Sequence, residues 1–569
     1  MINKKGFTLI ELLAVILVLG IIALIAVPVV NNIIKASKKG AFTTTVENVL
    51  SAAENACELE LLREEELTTT YTFTDGKVSP SLNIKGKLPT NGTISIDSNC
   101  KTAANLTNGT FVATKVFTED NITVVEGATV TPIVYKDNTL NGTDPELETG
   151  MIPVLISDDG TVTVADIYSN WYSYSSKKWA NVVTVTSSSR SNYINVDETY
   201  KSGTVITEND ILTYLVWIPR YRYEIFNDGT NISVTATDSS NIQTINIVFE
   251  NKNATTSTGN TDGDYLTHPA FTFGSEELNG FWVGKFETTG DVTTTTIKPN
   301  IASLRNMNVS EIFTTTRDME SSGNIYGIEA TEIDTHLMKN IEWGAVAYLS
   351  HSIYGLNSNM RYNNSSDYIT GCAASTEPVT STTTAGYAGC ENAYNTTNGY
   401  LASTTGNITG IYDMAGGAWE YVMGVVQDST GTDAPLSGNS AGIDSGFNGL
   451  YGTTGSLTTG IAFPISKYFD LYDYGTTWKD ITAYSRGYLG DATKEMGSFA
   501  QSTIDTDATS RYESSWYHDY AHFAYAGFPW VIRSGNWSSG AGAGIFTFTG
   551  STGSASDYAF RVIMATTGL

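Results

Sequence analysis

Positive charge is scarce in this chain. Its 569 residues hold 32 Lys and Arg against 59 Asp and Glu, a formal net charge of −27. Such a field repels phosphate backbones, which argues against a nucleic-acid partner. Charge of either sign is thin, at 16% of residues against roughly 25% in an average soluble protein, so the surface must be rich in hydroxyls and amides. Cysteine is limited to four and histidine to five, and no two cysteines stand at the C-x-x-C spacing that zinc sites favour. That argues against a metal site built from cysteines. Long apolar runs are missing except for Phe7 to Val30, which excludes a polytopic membrane protein. A wholly disordered chain is excluded by what is plentiful, 41% hydrophobic and 11% aromatic residues. The length calls for two or three folded units, and no repeat of fixed period supports a solenoid or propeller.

The one apolar run is long enough to cross a bilayer, with Lys4 and Lys5 holding its start in the cytoplasm. A plain anchor or signal peptide leaves Glu11 unexplained. An ionised carboxylate inside the run costs about 2.5–3.5 kcal/mol, and no Lys or Arg lies between Phe7 and Asn31 to pair with it. The segment Lys4-Lys5-Gly6-Phe7-Thr8-Leu9-Ile10-Glu11-Leu12-Leu13 resembles the processing site of type IV prepilins and pseudopilins. The resemblance implies cleavage after Gly6 by a prepilin peptidase and methylation of the new amine on Phe7. It also implies pairing of Glu11 with the N-terminal amine of a neighbouring subunit, and a tolerated kink at Pro28.

Beyond the run, Phe42, Val46, Val49, Ala53, Cys57 and Leu61 recur at spacings of three and four and predict that the helix continues as one apolar stripe. The acidic Glu64, Glu65 and Glu66 suit a helix C-terminus poorly, so the helix should end near Arg63 to Leu67. Strands are expected at Thr68 to Thr74, Thr110 to Thr114 and Ile122 to Val125. The predicted organisation is a leader at 1–6, a pilin-like helix and headpiece at 7–135, a turn-rich linker at 136–150 and a β-rich connecting segment at 151–210. A large domain follows at 211–569. A further helix is expected over Met338 to Leu349. Four cysteines allow three pairings; Cys57 with Cys100 and Cys372 with Cys390 are favoured because each pair falls within one domain.

Five segments of the large domain are unusual together: Val216-Trp217-Ile218-Pro219, Phe281 to Glu287, Ile411 to Glu420, Arg533 to Trp537, and Ala559-Phe560-Arg561-Val562. In this order and spacing they resemble the formylglycine-generating-enzyme-like, or sulfatase-modifying-factor, branch of the C-type lectin fold. The most specific piece is Asp413-Met414-Ala415-Gly416-Gly417-Ala418-Trp419-Glu420. The family pattern usually has Asn at the position of Gly417 and Gly at the position of Ser534, so those turns should differ. Asp413, Trp419, Glu420, Arg533, Phe546, Phe548, Phe560 and Arg561 are expected to be structural. Arg561 is either an exposed strand residue or a buried partner of Asp413 or Glu420.

Oxidase members of that family use two closely spaced late cysteines for copper, and none follows Cys390 here. The best metal candidate, His518-Asp519-Tyr520-Ala521-His522, would place two imidazoles on one helical face, but nearby Ser514, Ser515, Gly527 and Pro529 disfavour a long helix. No catalytic residue and no cofactor is assigned; a structural calcium is compatible with the abundant Asp and Asn, without a motif for it. What remains is binding. Framework pieces alternate with small or polar residues after Arg533, a layout that resembles the variable region of lectin-fold proteins diversified by retroelements. The display set is Asn536, Trp537, Ser538, Ser539, Ala541, Thr547, Thr549, Ser551, Thr552, Ser554, Ser556, Asp557 and Tyr558, with Phe546 and Phe548 on one strand face and Thr547 and Thr549 on the other. An ordinary Gly/Ser-rich loop is the plainer alternative.

The expected protein is α+β: a long N-terminal pilin helix with a small β headpiece, the β-rich connecting segment, and a C-type-lectin-fold domain with long irregular loops. Its expected role is that of a minor or tip type IV pilin-like protein at the bacterial cell surface or pilus, membrane-inserted before assembly. There it would display an adhesin or receptor-like domain to an external ligand. A pseudopilin of a secretion or DNA-uptake system and a surface-anchored metal-dependent oxidase are the rival readings.

Overall fold

The computed structural model describes residues 9–63, 68, 70–96, 100–115, 121–127, 141–196, 198–225, 244–253, 265–376, 386–429, 445–448, 461–478, 481–495 and 519–566. The chain divides into two compact units, Met1–Asp137 and Asn138–Leu569.

In the first unit a 54-residue helix, α1 (Leu9–Leu62), is followed by an antiparallel sheet. Its strands are β1 (Thr70–Thr74), β2 (Lys77–Ser79), β3 (Asn91–Ile96), β4 (Thr102–Thr107), β5 (Phe111–Lys115) and β6 (Thr123–Glu126), in the order β2-β1-β3-β4-β5-β6. The helix buries Phe42, Val46, Val49, Ala53 and Cys57, joined by Leu50, against Tyr71, Ile94, Leu106 and Phe111 of the sheet. Leu61, expected in the stripe, is 47% exposed. Packing stops one turn earlier, where Cys57 is joined to Cys100 with Cα atoms 5.6 Å apart. The helix itself ends at Leu62, just short of the expected range, and Glu60 accepts the Thr68 amide at 2.7 Å. Among the described residues no helix is long and apolar enough to cross a membrane; the expected span at 7–30 falls partly on residues and side chains outside the described ones.

The second unit is built on two sheets. The larger is antiparallel throughout and uses β7 (Ile152–Ile156), β8 (Val162–Val164), β9 (Asn181–Val185), β10 (Val205–Ile206), β11 (Ile211–Pro219), β12 (Gly280–Gly284) and β13 (Ile333–Leu337), with one strand from the end of the chain. After α2 (Asn340–Ser350) come the strands of the second sheet: β14 (Trp419–Val426), β15 (Asp470–Tyr472), β16 (Trp530–Arg533), β17 (Phe548–Ser551) and β18 (Tyr558–Phe560). The last strand of all, β19 (Val562–Thr566), lies between β12 and β13 in the larger sheet, whose order is β10-β8-β7-β9-β11-β12-β19-β13.

Two sequence expectations change here. The segment 151–210 is not a connector, because it supplies four strands to the larger sheet and β9 pairs directly with β11. Lys285, fully buried, fastens it further by donating to Asn181 Oδ1 at 2.9 Å and to the carbonyls of Ile408 and Gly410 at 2.6 and 2.8 Å. Nor is the described part of 136–150 a free linker. Asn141 accepts the Tyr174 amide at 3.0 Å, Asp144 accepts the Tyr172 hydroxyl at 2.5 Å, and the indoles of Trp217 and Trp282 donate to the carbonyls of Thr143 and Glu146. Turn-forming residues thus serve as acceptors for the aromatic core. The Cys372–Cys390 disulfide, with Cα atoms 5.2 Å apart, closes a loop of this unit.

The chain passes from β18 in one sheet to β19 in the other through a single residue, Arg561, which is fully buried. Its guanidinium donates to Glu420 Oε1 at 2.6 Å and Oε2 at 3.1 Å, and to the carbonyls of Gly284 and Tyr412 at 2.7 and 2.9 Å. The carboxylate partner is Glu420, while Asp413 instead accepts from Asn363 Nδ2 at 2.8 Å and the Gly371 amide at 2.9 Å. Truncating one member of a buried pair strands the other charge in the core, so Arg561→Ala should destabilise the protein by about 3–5 kcal/mol. In urea unfolding of the full chain, the Arg561→Ala/Glu420→Ala double variant should lose clearly less than the sum of the two single variants; strict additivity would mean that the pair is not coupled.

Candidate functional site

The display segment begins where β16 turns out of the second sheet. Ser534 sits at φ 77°, a left-handed conformation that costs a non-glycine residue about 1–2 kcal/mol. Its hydroxyl offsets that cost by donating to the carbonyls of Asp413 and Gly416 at 3.1 and 2.8 Å. This is how serine occupies a turn whose left-handed φ favours glycine. At Gly417, also left-handed at φ 71°, a Cβ would lie 2.7 Å from Glu287 Oε1. That carboxyl accepts the Ala418 amide at 2.8 Å and takes up the space a larger side chain would need.

Beyond the turn, Asn536 organises the next residues. Its Oδ1 accepts the Ser538 amide at 3.1 Å and the hydroxyls of Ser538 and Ser539 at 2.9 and 3.0 Å, while its Nδ2 donates to Asp557 at 3.0 Å. The loop then runs inward. Asp519, buried, accepts the Phe546 amide at 2.8 Å, and Gly544 passes so close to this carboxyl that a Cβ would overlap it. Phe546 and Phe548 are both buried, the first against His351 and the second facing Tyr484.

These elements surround a cavity of about 300 Å³. Two walls are aromatic: Trp419 stands opposite Tyr558 in the β14–β18 pairing, and Tyr520 meets Trp419 edge-on with ring centroids 6.2 Å apart. The floor is Ile532 and Thr549, paired in register between β16 and β17, with Gly550 beside them. The polar rim is Asn536, Ser538 and Ser539. No Asp, Glu, Lys, Arg or His is among these lining residues, so the cavity offers rings, hydroxyls and an amide but no formal charge. Tyr558 packs against Tyr421 at 5.3 Å, and burial raises the pKa of its phenol, keeping it a neutral hydroxyl at physiological pH.

The structure thus gathers Asn536, Ser538, Ser539, Thr549 and Tyr558 of the display set around one opening. Ser554 and Ser556 are exposed; Trp537, Ala541, Thr552 and Asp557 are half-buried, with Trp537 edge-on to Tyr368. Two members are corrected. Thr547 is fully buried with its hydroxyl on the Gly542 carbonyl at 2.7 Å, because residues 544–547 form a turn and strand alternation starts only at Phe548. Ser551 is buried as well, 3.0 Å from the Tyr421 hydroxyl. Of the expected framework, Asp413, Glu420, Arg533, Phe546, Phe548, Phe560 and Arg561 are buried, whereas Trp419 is half-buried and forms a cavity wall.

Tyr520 and Ile532 are lining residues that sequence reasoning missed. Tyr520 was hidden inside the histidine motif, whose geometry also changes. His518 lies outside the described residues, but 519–522 contains no helical residue and Ala521 bridges Phe548 in parallel fashion, so this stretch is no helical face. His522 Nδ1 instead lies 2.5 Å from the Tyr520 hydroxyl and packs on Trp478. Gly6 and Phe7 lie outside the described residues, as does the side chain of Glu11.

Residues 1–27 match the family described as a prokaryotic N-terminal methylation motif. No curated protein matches the chain. Among solved structures, the Major Tropism Determinant I1 variant aligns at 11% identity over 80% of this chain and 94% of its own, with a TM-score of 0.23. The U1 variant aligns at 11% over 79% and 92%, with a TM-score of 0.22. Scores this low carry no argument about fold or function.

The support under the display loop makes a prediction of its own. Burial pushes the Asp519 carboxyl up to about 7, against the opposing pull of the Phe546 amide and Arg533. A folded pKa above the unfolded one means that folding takes up a proton between about pH 4 and 7. The associated stability is therefore full at the acid end and is lost as pH rises through 7. Asp519→Asn keeps an acceptor for the Phe546 amide and removes the titration. The slope of unfolding free energy against pH over that window should be flatter in the variant than in the parent; identical slopes would place the Asp519 pKa near its unfolded value.

Proposed function

We infer that this protein is a type IV pilin-like surface protein, a minor or tip subunit, whose C-terminal unit binds an external ligand as an adhesin or receptor. The N-terminal methylation motif supports the first half of this reading. A prepilin peptidase cuts after Gly6, the apolar helix inserts in the membrane, and Glu11 sets register against a neighbouring subunit during assembly. The bulk of the second unit favours the tip, where it crowds no helical lattice. Its motif set, centred on Asp413 to Glu420, supports a formylglycine-generating-enzyme-like C-type-lectin domain, and the display layout supports a retroelement-diversified variable protein.

The observation that carries the binding half is the cavity where five display residues, Tyr558 among them, meet the rings of Trp419 and Tyr520. Rings give contact area with few torsions to freeze, and serine and asparagine adapt their hydrogen bonds at low cost. An uncharged lining selects a neutral ligand bearing hydroxyls or amides, such as a neutral saccharide. The described lining offers rings, hydroxyls and an amide, which supports a reading of binding.

Two measurements test these halves separately. Mass spectrometry of surface material should find a chain that begins at a methylated Phe7; exported protein that retains Met1 would remove the pilin reading. Ser538 is exposed on the rim, where substitutions usually stay within about 0.5 kcal/mol. Ser538→Trp in the detergent-solubilised full chain should leave the melting temperature unchanged and abolish retention on an array of immobilised neutral oligosaccharides. Undiminished retention would place the binding surface elsewhere.

A further inference from the structure

The cavity beside Trp419 holds about 300 Å³, at the small end of ligand sites, which run from roughly 300 to 1,000 Å³. Its aromatic wall does not end there. The Tyr520 ring lies 4.3 Å from that of His522, and His522 lies 3.8 Å from Trp478, measured between centroids. With the Trp419–Tyr520 contact at 6.2 Å, four rings follow one another outward from the cavity. His522, 8% exposed, underlies the run, whereas Trp478 at its outer end is 37% exposed and is the only exposed tryptophan among the described residues.

The loop that carries Trp478 is held firmly by its backbone. The carbonyls of Asp473 and Thr477 accept from the Arg486 guanidinium at 3.3 and 2.6 Å. Gly475 accepts the Ala526 amide at 2.9 Å, and Trp478 accepts the Phe523 amide at 2.7 Å. A large apolar ring is therefore kept partly in water by a fixed support. Removing such a surface from water is favourable, and because the support is already in place, binding there costs little ordering entropy. The charges beside the loop are engaged. Arg486 reaches the Ala524 carbonyl as well, at 2.9 Å, and the Asp473 carboxylate accepts from Gln427 Nε2 at 3.0 Å. The run from the cavity to Trp478 thus repeats the character of the cavity itself, with ring faces and a phenol hydroxyl.

Resting on the reading of the cavity as a site for a neutral saccharide, we propose that the ligand is an oligosaccharide chain and that Trp478 forms a second subsite for it. One sugar unit occupies the cavity, and the units that follow pass over Tyr520 and stack on the indole. The C–H face of a sugar ring is apolar and matches an aromatic face, while its hydroxyls stay in water. A single sugar fills the cavity alone and leaves Trp478 two ring contacts beyond the Tyr520 wall. Chain length then becomes a determinant of specificity.

The test is affinity against length, measured with the detergent-solubilised full chain on immobilised oligomers of glucose, mannose and N-acetylglucosamine with one, two, four and six units. In the series that the protein retains, the hexamer should bind about tenfold tighter than the dimer, the order that one aromatic stack supplies. Trp478→Ala should bring that ratio close to one, and Trp478→Phe should restore most of it. Equal affinity for dimer and hexamer in the parent would overturn the proposal and leave the cavity reading standing. So would a ratio unchanged in Trp478→Ala, or a loss in that variant that is equal at every length. If Ser538→Trp keeps full affinity for the hexamer, the chain binds without the cavity, and the cavity reading falls together with the proposal. Retention of none of the three series by the parent would also overturn both.

Discussion

The ion pair between Arg561 and Glu420 sets the terms for the second unit, because it stands where the chain leaves one sheet for the other. Taking a guanidinium and a carboxylate out of water costs several kcal/mol per ion, and only good geometry with further hydrogen bonds to the donors offsets that cost. Here the geometry is good and four of the five donors are used. The planar fork of Arg561 meets both oxygens of Glu420 and donates further to the carbonyls of Gly284, at the end of β12, and Tyr412, just before the Asp413 turn. A lysine reaches one of these partners at a time. The neighbouring Glu287 shows the electrostatic limit of the arrangement. Burial, and then Asp413 and Glu420, push its carboxyl well above its ordinary range, since one guanidinium cannot sustain several anions.

From that fixed point the cavity beside Trp419 follows by strand geometry. Glu420 lies next to Trp419, and β18 runs alongside β14, so the residue that anchors the core places its neighbour's indole opposite Tyr558. On the other side β16 pairs with β17 and brings Ile532 under Thr549. The floor is therefore as rigid as the sheet, while the rim belongs to a loop held by side-chain oxygens. Rigid aromatic walls with an adaptable polar edge suit a site whose ligand contacts have to be precise in position but variable in chemistry.

Much of this was legible in the sequence, and the failures have two causes. Spacing of three and four located the packed face of α1 as far as Cys57, and the glycine-rich stretch before Trp419 marked a place where backbones approach closely. Both are local signals. The assignment of 151–210 as a connector failed because a strand that pairs with β11 and one that pairs only with its own hairpin have the same alternation; which neighbour it finds is a long-range fact. Thr547 failed for the converse reason. Strict alternation from Phe546 requires a strand there, and the turn at 544–547 shifts the count. Tyr520 and Ile532 enter the cavity only through pairing with β17, which no local pattern reveals.

The same distinction separates which rim positions are free to change. The side chain of Ser538 ends on Asn536 and supports nothing else in the loop that its own amide does not already hold. Thr549 contributes its backbone to the β16 ladder and leaves its side chain in the cavity. Substitution at either position changes the chemistry offered to a ligand without touching the scaffold. Asn536 differs in kind. Its amide receives three hydrogen bonds from the loop and sends one to Asp557, so it fixes the path that presents Ser538 and Ser539. Aspartate there retains the acceptor but turns the donor to Asp557 into a like-charge contact, and serine is too short to reach both. Asn536 thus serves twice, lining the cavity and fixing the loop that presents Ser538 and Ser539 to it.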